Sequence, residues 1–184
     1  MSANDVNKDR RDFLYLATGA MGAVGAAAVA WPFVDQMNPS AATRAAGLPI
    51  EVDVSSIEPG QSIQVVWRSK PYFIRRLTGA ELSEVENIGD ADLIDPQSPA
   101  ERLGGLQDGT KEWAVVASNC THLGCIPQTV DTQARGWQCA CHGSAFDKIG
   151  RVVRGPAATN LPVPPFVFAD ANKLVVGTDN AEAV

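Results

Sequence analysis

The chain is short of the residues that most metal and catalytic sites use. Its 184 residues include two histidines and four cysteines, and none of either lies outside positions 120–142. Imidazole or thiolate chemistry is therefore confined to that one segment. Basic residues are also outnumbered: 15 Lys and Arg against 21 Asp and Glu leave a net charge of −6. That excludes a nucleic-acid surface, which needs a positive face. There is no internal repeat and no low-complexity run. Charge is missing altogether from Phe13 to Val34.

What fills that charge-free stretch is FLYLATGAMGAVGAAAVAWPFV. At helical rise it spans roughly 33 Å, enough for a hydrocarbon core of about 30 Å. It reads as an uncleaved transmembrane anchor over 13–34, with Trp31, Pro32 and Phe33 at the far interface. A cleaved secretory signal is the competing reading. Arg10-Arg11-Asp12-Phe13-Leu14 precedes it. An arginine pair before a bulky apolar pair resembles a twin-arginine export signal. Plain flanking positive charge would equally keep residues 1–12 in the cytoplasm. Both readings place the remainder on the outer side, and the first lets the head be exported already folded.

Residues 35–48, DQMNPSAATRAAGL, have no sustained apolar period and read as a flexible hinge linker. Within them AATRAA has good helical propensity. The acidic excess belongs to residues 48–184, enough for one domain and too few for two ordinary ones. From Pro49 the pattern turns to strands at 50–54, 62–67, 71–77, 113–117 and 173–177, with a turn at Ser69-Lys70. A helix fits around 80–87, followed by a polar loop through Asp95-Pro96-Gln97.

Two motifs hold all the cysteines and histidines: Cys120-Thr121-His122-Leu123-Gly124-Cys125 and Cys139-Ala140-Cys141-His142-Gly143-Ser144. Each offers a Cys and a His, as Cys-x-His and Cys-x-x-His, and each has one further cysteine. Three chemistries are open to such a set. Zinc accepts two thiolates and two imidazoles, but zinc fingers pair Cys with Cys and His with His. Two disulfides would leave both histidines without a role. A 2Fe-2S cluster with two thiolates on one iron and two imidazoles on the other needs one Cys and one His from each loop, because each loop must reach both irons.

On these motifs the chain resembles the Rieske iron-sulfur proteins of quinol-oxidising cytochrome bc complexes. The resemblance extends to the anchor, the linker, the β-rich head, Asp95-Pro96-Gln97 before the first loop and Gly155-Pro156-Ala157 after the second. It implies an all-β head over 49–184, with antiparallel sheets, one short helix and an inserted cluster-binding part about 114–157, behind a single N-terminal transmembrane helix. It implies one Rieske-type 2Fe-2S cluster, with Cys120 and Cys139 on the inner iron and His122 and His142 on the outer. Cys125 and Cys141 would form a disulfide between the loops, credible where oxidation persists.

Further roles follow from the same resemblance. Imidazoles in place of thiolates lower the cluster's negative charge and raise its potential. Ser144 resembles the family serine that donates to a bridging sulfide. Two residues on, the family usually has a tyrosine donating to a ligand cysteine, whereas this chain has Phe146. The family often has a second proline where Ala158 stands. His142 would hydrogen-bond ubiquinol in cytochrome b, with His122 titrating beside it, and Leu123, Gly124 and Pro156 would form the docking tip. The expected function is electron transfer from ubiquinol to a c-type cytochrome subunit, with proton release from quinol. The expected setting is a dimeric complex in the bacterial inner membrane with the head in the periplasm. Rival readings are the Rieske subunit of another exported oxidase such as an arsenite oxidase, a stand-alone Rieske ferredoxin, and a structural zinc protein. With both histidines in the motifs, none is left for a catalytic non-haem iron domain.

Overall fold

In a computed structural model of the chain, the described residues are 8–103, 111–132 and 135–178. Residues 1–7 of the expected N-terminal segment lie outside them. The chain divides into two compact units, one reaching to Ala45 and the other starting at Ala46.

The first unit contains helix α1, Lys8–Asp35, and helix α2, Ala41–Ala46, begins at its end. Alpha-1 is 28 residues long with no buried residue. Its apolar window has a mean hydropathy of 1.7, so it is long and apolar enough to cross a membrane. It begins before Phe13 because Lys8 to Asp12 continue the helix in polar residues, which suits an interface. Helix α2 is the AATRAA stretch, and the Ser40 hydroxyl before it accepts from the Thr43 amide at 3.1 Å.

The second unit is a stack of three antiparallel sheets. Strands β1 (Ile50–Asp53), β10 (Lys173–Val176) and β9 (Phe166–Asp170) form the first, in the order β1-β10-β9. Strands β2 (Ser62–Trp67), β3 (Lys70–Arg76) and β4 (Trp113–Ala117) form the central one in sequence order. Strands β5 (Gln128–Thr132), β6 (Arg135–Gln138), β7 (Ala145–Phe146) and β8 (Val152–Arg154) form the third, inserted between β4 and β9. The β2–β3 turn sits one residue earlier than the sequence suggests, with Arg68 and Ser69 at positive φ of 50° and 59°.

Strands β3 and β4 of the central sheet are buried on both faces, and side-chain alternation divides their residues between two cores. Tyr72, Ile74, Trp113 and Val115 face the first sheet and pack with Val54, Phe166, Phe168, Leu174 and Val176. Phe73 and Val116 face the other way, toward Trp137, Phe146, Val152 and Leu161 of the inserted part. Phe73 stacks on Trp137 with ring centroids 5.5 Å apart. The cluster loops thus grow from a sheet whose inner face is already fixed by the central one.

Helix α3 (Gly79–Asn87) is closed by a capping box between Thr78 and Glu81. A four-residue helix α4 (Pro99–Arg102) follows. Buried charges tie both to the inserted sheet. Glu81 pairs with Arg75 and lies 3.5 Å from Lys148, which also meets Glu84 at 2.6 Å. Arg151 pairs with Asp147 at 2.6 Å and donates to the Val85 carbonyl at the end of α3. Arg102 donates to the carbonyls of Ile149 and Leu161. Burial pushes the Glu81 carboxyl up, but hydrogen bonds from Thr78 and Arg75 and the charges of Arg75 and Lys148 outweigh it. Its net pKa is below the ordinary carboxylate value.

Candidate metal centre

The two motifs fold into the same six-residue loop. In the first, the Cys120 amide donates to the Cys125 carbonyl and the Gly124 amide to the Cys120 carbonyl, each at 2.8 Å. In the second, the Cys139 amide donates to the Ser144 carbonyl at 2.8 Å and the Gly143 amide to the Cys139 carbonyl at 3.0 Å. The fifth residue of each must adopt positive φ, and it is glycine in both, Gly124 at 82° and Gly143 at 79°. Leu123 and His142 therefore occupy equivalent fourth positions, and both are exposed.

The side chains separate by chemistry. Cys120 and Cys139 are free and buried, with 3% and 2% exposure. His122 is half-buried and His142 exposed, and their rings meet edge to face with centroids 4.8 Å apart. The two free thiols are thus buried, while the imidazoles are less so. The Cys125–Cys141 disulfide is formed and joins the loops. The sulfurs of Cys125, Cys139 and Cys141 all lie within 4.8 Å of one another. Two of those three are consumed by the disulfide, so that trio is no ligand set of its own.

The electrostatics of the buried thiols follow from their surroundings. Burial pushes the Cys120 thiol up; the neighbouring Cys139 thiol adds to this, while the His122 amide and the Ser144 hydroxyl oppose it. Two thiols facing each other in an apolar core are poorly placed as thiolates without a cation between them. The Nδ1 atom of His122 is buried with no hydrogen-bond partner. A buried imidazole nitrogen with no protein partner is an atom that a metal would satisfy. Two thiolates and two imidazoles, one of each per loop, fit a 2Fe-2S cluster of mixed ligation.

A third segment covers the loops. The buried Ala157 amide donates to the Ser144 Oγ at 3.1 Å. The Thr121 hydroxyl donates to the Thr159 carbonyl at 2.6 Å. Gly155, at φ 108°, lies so close that a Cβ there would fall 2.4 Å from the Ser144 Cα. Phe146 is fully buried in the same core group as both free cysteines. Leu123 (71%) and Ile126 (54%) are exposed, as are Gly124 and Pro156. Ile126 went unnoticed in the sequence because it follows the second cysteine of its motif, where no ligand pattern marks it.

Comparison with known proteins agrees with this arrangement. Residues 84–165 match the family described as Rieske [2Fe-2S] domain, and residues 1–40 match the one described as Ubiquitinol-cytochrome C reductase Fe-S subunit TAT signal. The ubiquinol-cytochrome c reductase iron-sulfur subunit of Blastochloris viridis is 52% identical over 96% of this chain and 97% of its own length. The chain belongs to the Rieske iron-sulfur subunits of ubiquinol-cytochrome c reductase. The subunit of the same description from Bradyrhizobium diazoefficiens is 50% identical over 91% of this chain and 94% of its own length. A solved structure titled Hyperthermophilic respiratory Complex III covers 87% of this chain and 98% of its own with a TM-score of 0.52 and 30% identity. As a Rieske subunit the chain holds one 2Fe-2S cluster and transfers electrons. Its N-terminal apolar helix and export-signal match are those of a membrane-anchored member of the family.

Proposed function

We propose that this subunit takes electrons from ubiquinol bound in a cytochrome b subunit and delivers them to a c-type cytochrome subunit. The ligands in this reading are Cys120, His122, Cys139 and His142. When bound, the cluster supplies a one-electron acceptor in the range of about −150 to +300 mV. The observation that carries the reading is the separation of donors: buried thiols behind and an exposed imidazole, His142, in front.

His142 is the residue that meets quinol. An imidazole whose other nitrogen is held by a metal releases its outer N–H proton more readily than a free one. His142 therefore accepts the quinol hydroxyl in a hydrogen bond and holds its proton after the electron has passed. His122 lies beside it in edge-to-face ring contact. Leu123, Gly124 and Pro156, joined by Ile126, exclude water around that hydrogen bond when the tip docks. The Ser144 hydroxyl faces the sulfur site.

The N-terminus lies in the cytoplasm and the head in the periplasm of a bacterial inner membrane, with 13–34 as the span. Support comes from the arginine pair, the export-signal match and the disulfide, which needs an oxidising compartment. Residues 35–48 act as a tether on which the head moves between donor and acceptor within a dimeric complex.

The test is EPR of dithionite-reduced membranes with and without a quinol-site inhibitor. A Rieske-type signal whose shape changes with inhibitor is expected. A signal indifferent to the inhibitor removes quinol as the partner, and no signal at all removes the cluster assignment.

A further inference from the structure

The loop that covers the cluster site is held from behind by a side chain that touches neither cluster loop. Between Gly155 and Thr159, Ala157 alone is buried. Proline stiffens this segment at Pro156 but not at position 158, where alanine stands. What holds it down is Asn160, which is 6% exposed. Its amide donates to the Asp95 Oδ2 at 2.9 Å, and its Nδ2 donates to the Asp95 carbonyl at 2.8 Å and to the Gln97 Oε1 at 3.0 Å. Its Oδ1 accepts from the Val152 amide at 2.8 Å. Gln97 is in turn held by Arg102. Asn160 therefore joins the Asp95-Pro96-Gln97 segment to β8 and to the end of the covering loop.

Three residues upstream, the Ala157 amide donates to the Ser144 Oγ. A hydroxyl that accepts in that direction has its own proton left to donate in another. We propose that Asn160, braced by Asp95, is a positioning residue that fixes the Ser144 hydroxyl as a donor to the sulfur site, and that it thereby raises the reduction potential. The inference rests on the reading of Ser144 as that donor. The chain of contacts is Asp95 and Gln97 to Asn160, Asn160 to the covering loop, and Ala157 of that loop to the Ser144 oxygen. When Asn160 is lost, the covering loop lifts, the Ala157–Ser144 bond lengthens and the hydroxyl turns away. Hydrogen bonds to sulfur stabilise the electron-rich reduced form more than the oxidised form, so the potential falls.

The experiment is redox titration, followed by EPR, of the full membrane complex carrying Asn160→Ala, Ser144→Ala or both. Asn160→Ala is expected to weaken the hold on the electron about three- to tenfold, which is about 28–59 mV at 59 mV per decade. In the Ser144→Ala background the same change is expected to add little, because the group it acts through is gone. An unchanged midpoint in Asn160→Ala, or a full additional shift in the double variant, overturns the inference. Where Ser144→Ala itself leaves the midpoint unmoved, the donor reading of Ser144 fails. Where Ser144→Ala shifts it and Asn160→Ala does not, the role of Asn160 alone fails.

Should Asn160→Ala prevent cluster loading, Asp95→Asn replaces it, keeping the shape while weakening the bond to the Asn160 amide. Removing a negative charge would by itself raise the midpoint. That charge effect is present with or without Ser144, so the proposal requires Asp95→Asn to lower the midpoint relative to its effect in the Ser144→Ala background, and equal shifts in the two backgrounds overturn it.

Discussion

Replacing Phe146 with tyrosine adds one oxygen to the deepest part of the cluster site. Phe146 is fully buried, opposite Trp137 in the β6–β7 ladder and in one core group with Cys120 and Cys139. The family resemblance implies that a tyrosine hydroxyl at this position donates to a ligand cysteine. A buried hydroxyl without a partner costs about 1–3 kcal/mol, whereas a hydrogen bond to a charged acceptor contributes about 1.5–3 kcal/mol. The sulfur gains electron density on reduction, so that bond strengthens in the reduced form. If about 1 kcal/mol of it is specific to the reduced state, the midpoint rises by about 40 mV, since 1.4 kcal/mol is about 59 mV for one electron. The assay is an EPR-monitored titration of Phe146→Tyr beside the unmodified complex, with cluster content matched. Melting temperature provides the control: a satisfied hydroxyl leaves it nearly unchanged, an unsatisfied one lowers it. A loaded, stable variant whose midpoint is unchanged or lower refutes the reasoning that Phe146 makes this cluster the weaker oxidant.

Other changes test the scaffold. Gly155→Ala puts a Cβ 2.4 Å from one backbone atom and 2.8 Å from another, at a φ of 108°; it should cost at least about 2 kcal/mol and reduce cluster content, read by absorbance per protein. Cys125→Ser with Cys141→Ser opens a bond spanning 16 residues. The expected loss is about 3 kcal/mol, and an unchanged melting temperature would contradict the bond's role as a staple. Glu81 has a folded pKa below its ordinary value, so its stabilisation is present at neutral pH and disappears as pH falls through that lowered pKa. Glu81→Gln should flatten the acid limb of the melting-temperature profile below pH ~4.5, while a limb as steep as before assigns it to other carboxylates. Several prolines placed in 36–47 should slow turnover with the EPR spectrum intact, and undiminished turnover would remove the moving tether.

Much of this protein is local in origin and readable from the chain. The segment 120–142 contains every histidine and cysteine, so the candidate donors are legible in the sequence. The α3 helix announces itself through Thr78 and Glu81, and β4 through Trp113–Ala117, because capping and β-branched runs act within a few residues. The loop glycines belong to the same class, since each serves a turn closed within its own motif.

The third sheet was not legible. Strands β7 and β8 are two and three residues long and have too few positions to show a period. They exist because the central sheet supplies Phe73 and Val116 as a floor. Nor does sequence show that Arg75, Arg102 and Arg151 are buried, since a charge is tolerated inside only where distant partners converge on it. Asn160 belongs with them: one polar residue in a loop acquires its role from Asp95 and Gln97, more than 60 positions away. The amino-acid sequence determined which atoms can bind the cluster. The tertiary structure decided which thiols are buried, which imidazole reaches solvent and what holds the loops closed. Ligation needs only residue types at short spacing, whereas burial and bracing are properties of contacts between segments far apart in the chain.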